Sequence, residues 1–168
     1  MTKISSSLYR DANHVPIWTD GFITKRTITF LGATTDAWGN DGGALDDSAL
    51  YTVTGLCFVK LVATCSTLLT GDSATIEVGI TGATAIFMPT ETATQIDAGQ
   101  IWLNDAGNTT YAIVGEESAA ADNLPEYLLN GNDIILTVKT ANVETGVLDF
   151  YCIWRPVSSD ASIVATTT

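Results

Sequence analysis

His14 is the only histidine in the sequence, so any Ser–His–Asp or Cys–His catalytic grouping would have to be built around it. Such a grouping needs the imidazole within hydrogen-bond reach of its nucleophile, on a rigid scaffold. His14 falls instead in an irregular N-terminal stretch, where a surface or contact role is expected. No Gly-x-Ser-x-Gly elbow, phosphate loop or Gly-x-Gly-x-x-Gly fingerprint follows a strand pattern. Zinc would require Cys57, Cys65, Cys152 and His14 to converge, and no two of the cysteines stand at the close spacing of a zinc motif. Adjacent acids such as Asp46-Asp47 and Glu116-Glu117 could in principle hydrolyse a glycoside, but among 19 acidic residues such pairs carry little information. Asp36, Asn40, Asp41, Asp46 and Asp47 supply oxygens for calcium. Their spacing departs from the EF-hand loop because Trp38 occupies a position that needs an oxygen. Asn108-Thr109-Thr110 has the form of a glycosylation acceptor and reads as a turn. The expectation is a protein that is not an enzyme, with no cofactor and no metal.

The elements that would have to position any site are built from a chain of 168 residues, 46% hydrophobic and only 15% charged. That is enough for one well-packed domain with a polar, uncharged surface. Seven basic residues oppose 19 acidic ones, for a formal net charge of −12. Nucleic acid is a poor partner for such a chain, because phosphate binding needs clustered Lys and Arg. Lys3, Arg10, Lys25 and Arg26 face only Asp11 and Asp20 in the first 30 residues, so that segment is +2 and the remainder −14. An N-terminal segment docked on a different surface from the body is one reading of that split. Cys57 and Cys65, if on one strand, stand about 26 Å apart and cannot bridge each other. Buried free thiols and synthesis in a reducing cytoplasm follow. Residues 1–20 lack the basic start and apolar run of a secretion signal, and no stretch approaches a membrane span.

Residues 1–20 mix Ser5-Ser6-Ser7 and Pro16 with Leu8, Tyr9, Ile17 and Trp18, and read as an extended arm. From Gly21 the pattern alternates, with Phe22, Thr24, Arg26, Ile28 and Phe30 sharing one face of a strand. Residues 31–49 form a long Gly/Asp/Ala-rich loop of the kind that carries contacts. Tyr51 to Leu69 gives the strongest strand signal, with Cys57, Val59, Leu61, Ala63 and Cys65 on an apolar face. Leu56, Phe58, Lys60, Val62 and Thr64 make a mixed face, and Gly55 marks a break or bulge. Further strands are expected at Ala74–Ile80 and at Thr84–Met88, which Pro89 ends. Ile101–Leu103 and Thr110–Val114 flank a hairpin loop. Ile134–Val138 and Val147–Trp154 close the series. Asp122–Leu129 is the one plausible helix, with Pro125 in its first turn and Asn130-Gly131 as its stop. The sum is an all-β fold, an antiparallel β-sandwich or jelly roll of about eight strands, with at most one short helix. The divisions are an arm at 1–20, a sandwich domain at 21–157 and a polar C-terminal tail at 158–168.

The phrases Leu50-Tyr51-Thr52-Val53-Thr54-Gly55, Thr75-Ile76-Glu77-Val78-Gly79-Ile80-Thr81-Gly82-Ala83-Thr84-Ala85, Ala93-Thr94-Gln95-Ile96-Asp97-Ala98-Gly99-Gln100-Ile101-Trp102 and Phe150-Tyr151-Cys152-Ile153-Trp154-Arg155-Pro156 resemble a group of tailed-bacteriophage virion proteins. These are the capsid decoration, or cement, proteins, and the resemblance spans about residues 20–160. It implies a β-sandwich or jelly roll, often a homotrimer, bound to the major capsid protein on the outside of the virion after synthesis in the host bacterial cytoplasm. It implies no catalytic residues; the charge balance and the lack of a long apolar run already exclude nucleic acid and membrane as expected partners. Lys3, Tyr9, Arg10, Ile17, Trp18 and Trp38 are the expected contact residues, the two tryptophans because the domain has little of its own to bury them. The alternative is a carbohydrate- or receptor-binding β-sandwich module of a phage fibre or tail.

Overall fold

The computed structural model describes residues 21–104, 112–115 and 124–167. The arm, His14, the loop at 105–111 and the segment 116–123 lie outside these residues. The regular structure of the described chain is nearly all strand and forms two antiparallel sheets. One sheet has six strands: β1 (Phe22–Phe30), β10 (Thr145–Pro156), β3 (Leu56–Thr70), β6 (Ile101–Asn104) and β7 (Ala112–Gly115) in that order, with β8 (Tyr127–Asn130) also on β3. The other has five: β11 (Ser162–Ala165), β2 (Ser48–Thr54), β9 (Ile134–Lys139), β4 (Thr75–Ile80) and β5 (Ala83–Thr92). The expected all-β sandwich is what forms, with eleven strands among the described residues rather than about eight.

The core lies between the sheets. Cys57, Val59, Leu61, Ala63 and Cys65 of β3 and Leu148, Phe150 and Cys152 of β10 face Tyr51, Val53, Ile76, Val78, Leu136 and Val138 of the opposite sheet. This is the alternation expected of strands with one covered face. Polar ties also cross between the layers. The Tyr51 hydroxyl donates to the Phe150 carbonyl at 2.9 Å. The Arg26 guanidinium donates to the Leu50 carbonyl at 3.1 Å.

Gly55 does more than bulge a strand. Tyr51–Leu69 is divided there, so that β2 belongs to one sheet and β3 to the other. Gly55 has φ +66°, and a Cβ on it would stand 2.6 Å from Ser158 Oγ. Only a residue without a side chain turns this corner at low cost.

Three expectations are corrected. Asp122–Leu129 is not a helix where it is described: 124–126 are irregular and β8 begins at Tyr127, because Leu128 and Leu129 find partners in Phe58 and Cys57 of β3. Tertiary pairing here outweighs the capping signals. Pro89 does not end its strand; β5 continues to Thr92. The ladder to β4 skips from Met88 to Glu91, so Pro89 sits in a bulge on an edge strand, where no ladder bond is lost. The segment 158–168 is not a free tail, since β11 pairs with β2 from Ser162↔Thr54 to Ala165↔Tyr51. Ser158 also enters the fold, its Oγ accepting from Leu56 N at 2.8 Å.

Candidate interaction surfaces

Of the six residues expected to make contacts, Lys3, Tyr9, Arg10, Ile17 and Trp18 lie outside the described residues. Trp38 is buried, 6% exposed, so the expectation that its loop could not cover it is overturned. The loop after β1 folds back on itself: Leu31 N donates to the Trp38 carbonyl, and Val143 N to the Gly39 carbonyl. The Arg26 guanidinium lies 5.2 Å from the Trp38 ring centroid. Burial lowers the Arg26 pKa from its ordinary value, against a small opposing influence of Tyr51. Trp38 is therefore part of the core and is not presented to a partner.

Two acids of this loop are used internally. Asp46 Oδ1 accepts from Val138 N at 2.8 Å, and its Oδ2 from Gly42 N at 2.9 Å. Asp47 Oδ1 accepts from the Thr137 hydroxyl. Among the described residues no group of three or more His, Cys, Asp or Glu side chains is placed to hold a metal ion. The three cysteines are free and buried, and burial pushes all three thiols above their ordinary pKa, Cys152 furthest. A thiol in that setting is a poor nucleophile.

What the fold does assemble is a surface. On the outward side of the six-stranded sheet, register aligns Ile23 with Ile153 and Lys60, Lys25 with Tyr151 and Val62, and Arg155 with Phe58 and Leu128. Ile23 is 66% exposed and Leu128 53%. Lys25 Nζ stands 3.1 Å from Asp149 and 5.4 Å from the Tyr151 ring centroid. Arg155 stands 2.6 Å from Glu126 and 5.0 Å from the Phe58 ring centroid. The hydrogen bond to Asp149 holds the Lys25 ammonium above its ordinary pKa. Burial would raise Asp149, but hydrogen bonds from Thr27 and Lys25 prevail and hold it below the usual carboxylate value. Lys60 has no ion-pair partner among the described residues. Three of the five described basic residues thus share one face of a chain whose net charge is −12.

The opposite chemistry gathers at one end of the sandwich. The loop at 31–47, the turn at 71–74 and the connection at 140–144 meet there through Gly32 N to Val143 O, Asp41 N to Asn142 Oδ1 and Glu144 N to Thr70 O. They present Asp36, Asp41, Asp47, Asp72 and Glu144, all exposed. Leu31 (53% exposed) and Leu68 (44%) stand at the strand ends that lead into them.

Sequence reasoning recognised the mixed face of Leu56, Phe58, Lys60, Val62 and Thr64 but could not join it to anything. Its continuation on β1 and β10 depends on which strands are neighbours. The class defined by fold and surface is a two-sheet antiparallel β-sandwich with a basic, apolar sheet face and an acidic end. Comparison with protein families, curated proteins and solved structures found no match.

Proposed function

We propose that this chain is a structural, non-enzymatic virion protein that binds the outer surface of a tailed-phage capsid and stabilises the head through added inter-subunit contacts. Its partners on this reading are the major capsid protein and further copies of itself. The observation that carries it is the outward face of the six-stranded sheet, where Ile23 and Leu128 stand exposed beside Lys25, Lys60 and Arg155. Apolar side chains held on rigid strands and ringed by charge make a surface suited to a protein partner. The resemblance of the phrases quoted above supplies the kind of partner. Stable attachment calls for about 1,200–2,000 Å² of buried surface per contact, and the N-terminal segment that carries Lys3, Tyr9, Arg10, Ile17 and Trp18 adds, in Tyr9, Arg10 and Trp18, anchor types favoured in such contacts.

The test is sedimentation of the purified protein with undecorated capsids. Comigration at fixed stoichiometry is the expected result, and absence of comigration across a range of salt concentrations overturns the reading in favour of glycan or receptor binding. A variant lacking residues 1–20 should keep its circular dichroism spectrum and lose attachment. Full occupancy of capsids by that variant would remove the arm from the mechanism.

A further inference from the structure

We propose that copies of this chain associate by a heterologous contact, the basic, apolar face of the six-stranded sheet of one copy receiving the acidic end of the next. This deepens the self-association part of the proposed function and is independent of attachment to a shell. The two surfaces match in both respects that decide a protein contact. One offers Ile23 and Leu128 with Lys25, Lys60 and Arg155; the other offers Leu31 and Leu68 with Asp36, Asp72 and Glu144. Each combines exposed apolar side chains with charge: on the face three cations exceed the two acids that pair with them, Asp149 and Glu126, and at the end exposed carboxylates predominate. At the acidic end the one described cation is Lys139, and its ammonium is already held by Glu77. On the basic face Lys60 has no ion-pair partner among the described residues, and the pairs of Lys25 and Arg155 are exposed enough to exchange partners.

Geometry allows both surfaces to be used at once. The apolar part of the basic face lies toward the start of β1 and the end of β10, where Phe22 pairs with Trp154. The acidic end lies where Phe30 meets Gly146 and Thr145 meets Thr70, at the other limit of the same sheet. Contact of like faces would bring Lys60 of one copy toward Lys60 of another, and contact of like ends would oppose carboxylates. A heterologous contact avoids both, and closes into a ring when its rotation permits.

The experiment is sedimentation velocity of the full chain without capsids, over a concentration series at low and high salt. The probes are Lys60→Glu on the face and Glu144→Lys at the end, both surface side chains. The wild-type protein should form a discrete oligomer that salt weakens. Each variant alone should associate about tenfold more weakly or worse, and a double variant carrying both substitutions should restore association, because the reversed charges then meet at every contact. Unchanged melting temperatures of the variants show that the loss is in the contact and not in the fold. A wild-type protein that is monomeric at every concentration overturns the inference. So does a Glu144→Lys variant that assembles normally, which would mark a contact of like faces. A monomer that nevertheless coats capsids would sink this inference while leaving capsid attachment standing; an oligomer that ignores capsids would do the reverse.

Discussion

Glu77 is the buried acid of the five-stranded sheet, and its surroundings determine its charge. Burial alone would raise its pKa, but hydrogen bonds from Lys139, Thr84 and Thr90 prevail and hold it below the usual carboxylate value. Because the folded pKa lies below the unfolded one, the stabilisation is complete above the unfolded value of about 4.3. It is then lost as the pH falls through the folded value. Asp149 is depressed by its bonds to Thr27 and Lys25 and acts with the same sign. Lys139 is half exposed, so the pair is worth less than a fully buried one. Glu77→Gln should therefore cost about 1–2 kcal/mol at neutral pH, mainly through weakened hydrogen bonding at a buried site. Its stability should also fall less than the wild type's between neutral and acid conditions. Urea unfolding of both proteins at the two pH values checks this; parallel pH profiles would exclude Glu77 as a source of acid sensitivity. Arg26 shows the complementary case. It is a cation on a strand face shared with Phe22, Thr24, Ile28 and Phe30, which the alternation pattern revealed, but its role in covering Trp38 required the loop to fold back across it.

At the scale of elements, the corner at Gly55 decides the topology. It divides one long apolar segment into strands of different sheets, and its amide neighbourhood is sealed from the C-terminal side by Ser158. Gly55→Ala places a Cβ in the left-handed region and 2.6 Å from Ser158 Oγ. The expected loss is about 1–3 kcal/mol from backbone strain and displacement of the Ser158 contact. For a chain of this size that lowers the melting temperature by roughly 2–4 °C per kcal/mol. Thermal denaturation followed by circular dichroism measures it, and an unchanged melting temperature would mean the corner can relax. The bulge at Pro89 and the strand at Tyr127 reflect the same physics. Local signals pointed to a stop and to a helix, yet position in the sheet made Pro89 harmless and gave Leu128 and Leu129 partners.

For the whole molecule, the three thiols report on the sandwich as a unit. Cys57 and Cys65 on β3 and Cys152 on β10 all face the space between the sheets. Their burial and raised pKa values predict negligible reaction with an aromatic disulfide reagent in the native state, and release of all three in denaturant. Labelling should follow global unfolding rather than local opening. Rapid labelling of any one cysteine in native buffer would show that the layers separate more readily than this packing allows. The charge distribution acts at the same scale. A net charge of −12 opposes association, so the proposed self-contact depends on the few cations meeting the acidic end.

Alternation of apolar and polar residues by itself determined the class of fold, because a strand with one covered face writes a period of two into any chain that forms it. It also placed Ile28, Phe30, Leu61, Phe150 and Cys152 inside, and Gly55 at a break, since those depend only on local period and backbone freedom. The order of strands, the joining of β11 to β2, the burial of Trp38 and the gathering of Lys25, Lys60 and Arg155 on one face were decided by the tertiary structure alone. Each depends on which distant segments become neighbours: Thr24 and Cys152, or Phe58 and Leu128, are remote in the chain and adjacent in the sheet. Nothing in the period of a strand specifies its partner. Pairing is selected by the total burial that all the strands achieve together, and a surface made of several strands comes into existence only when that selection is complete.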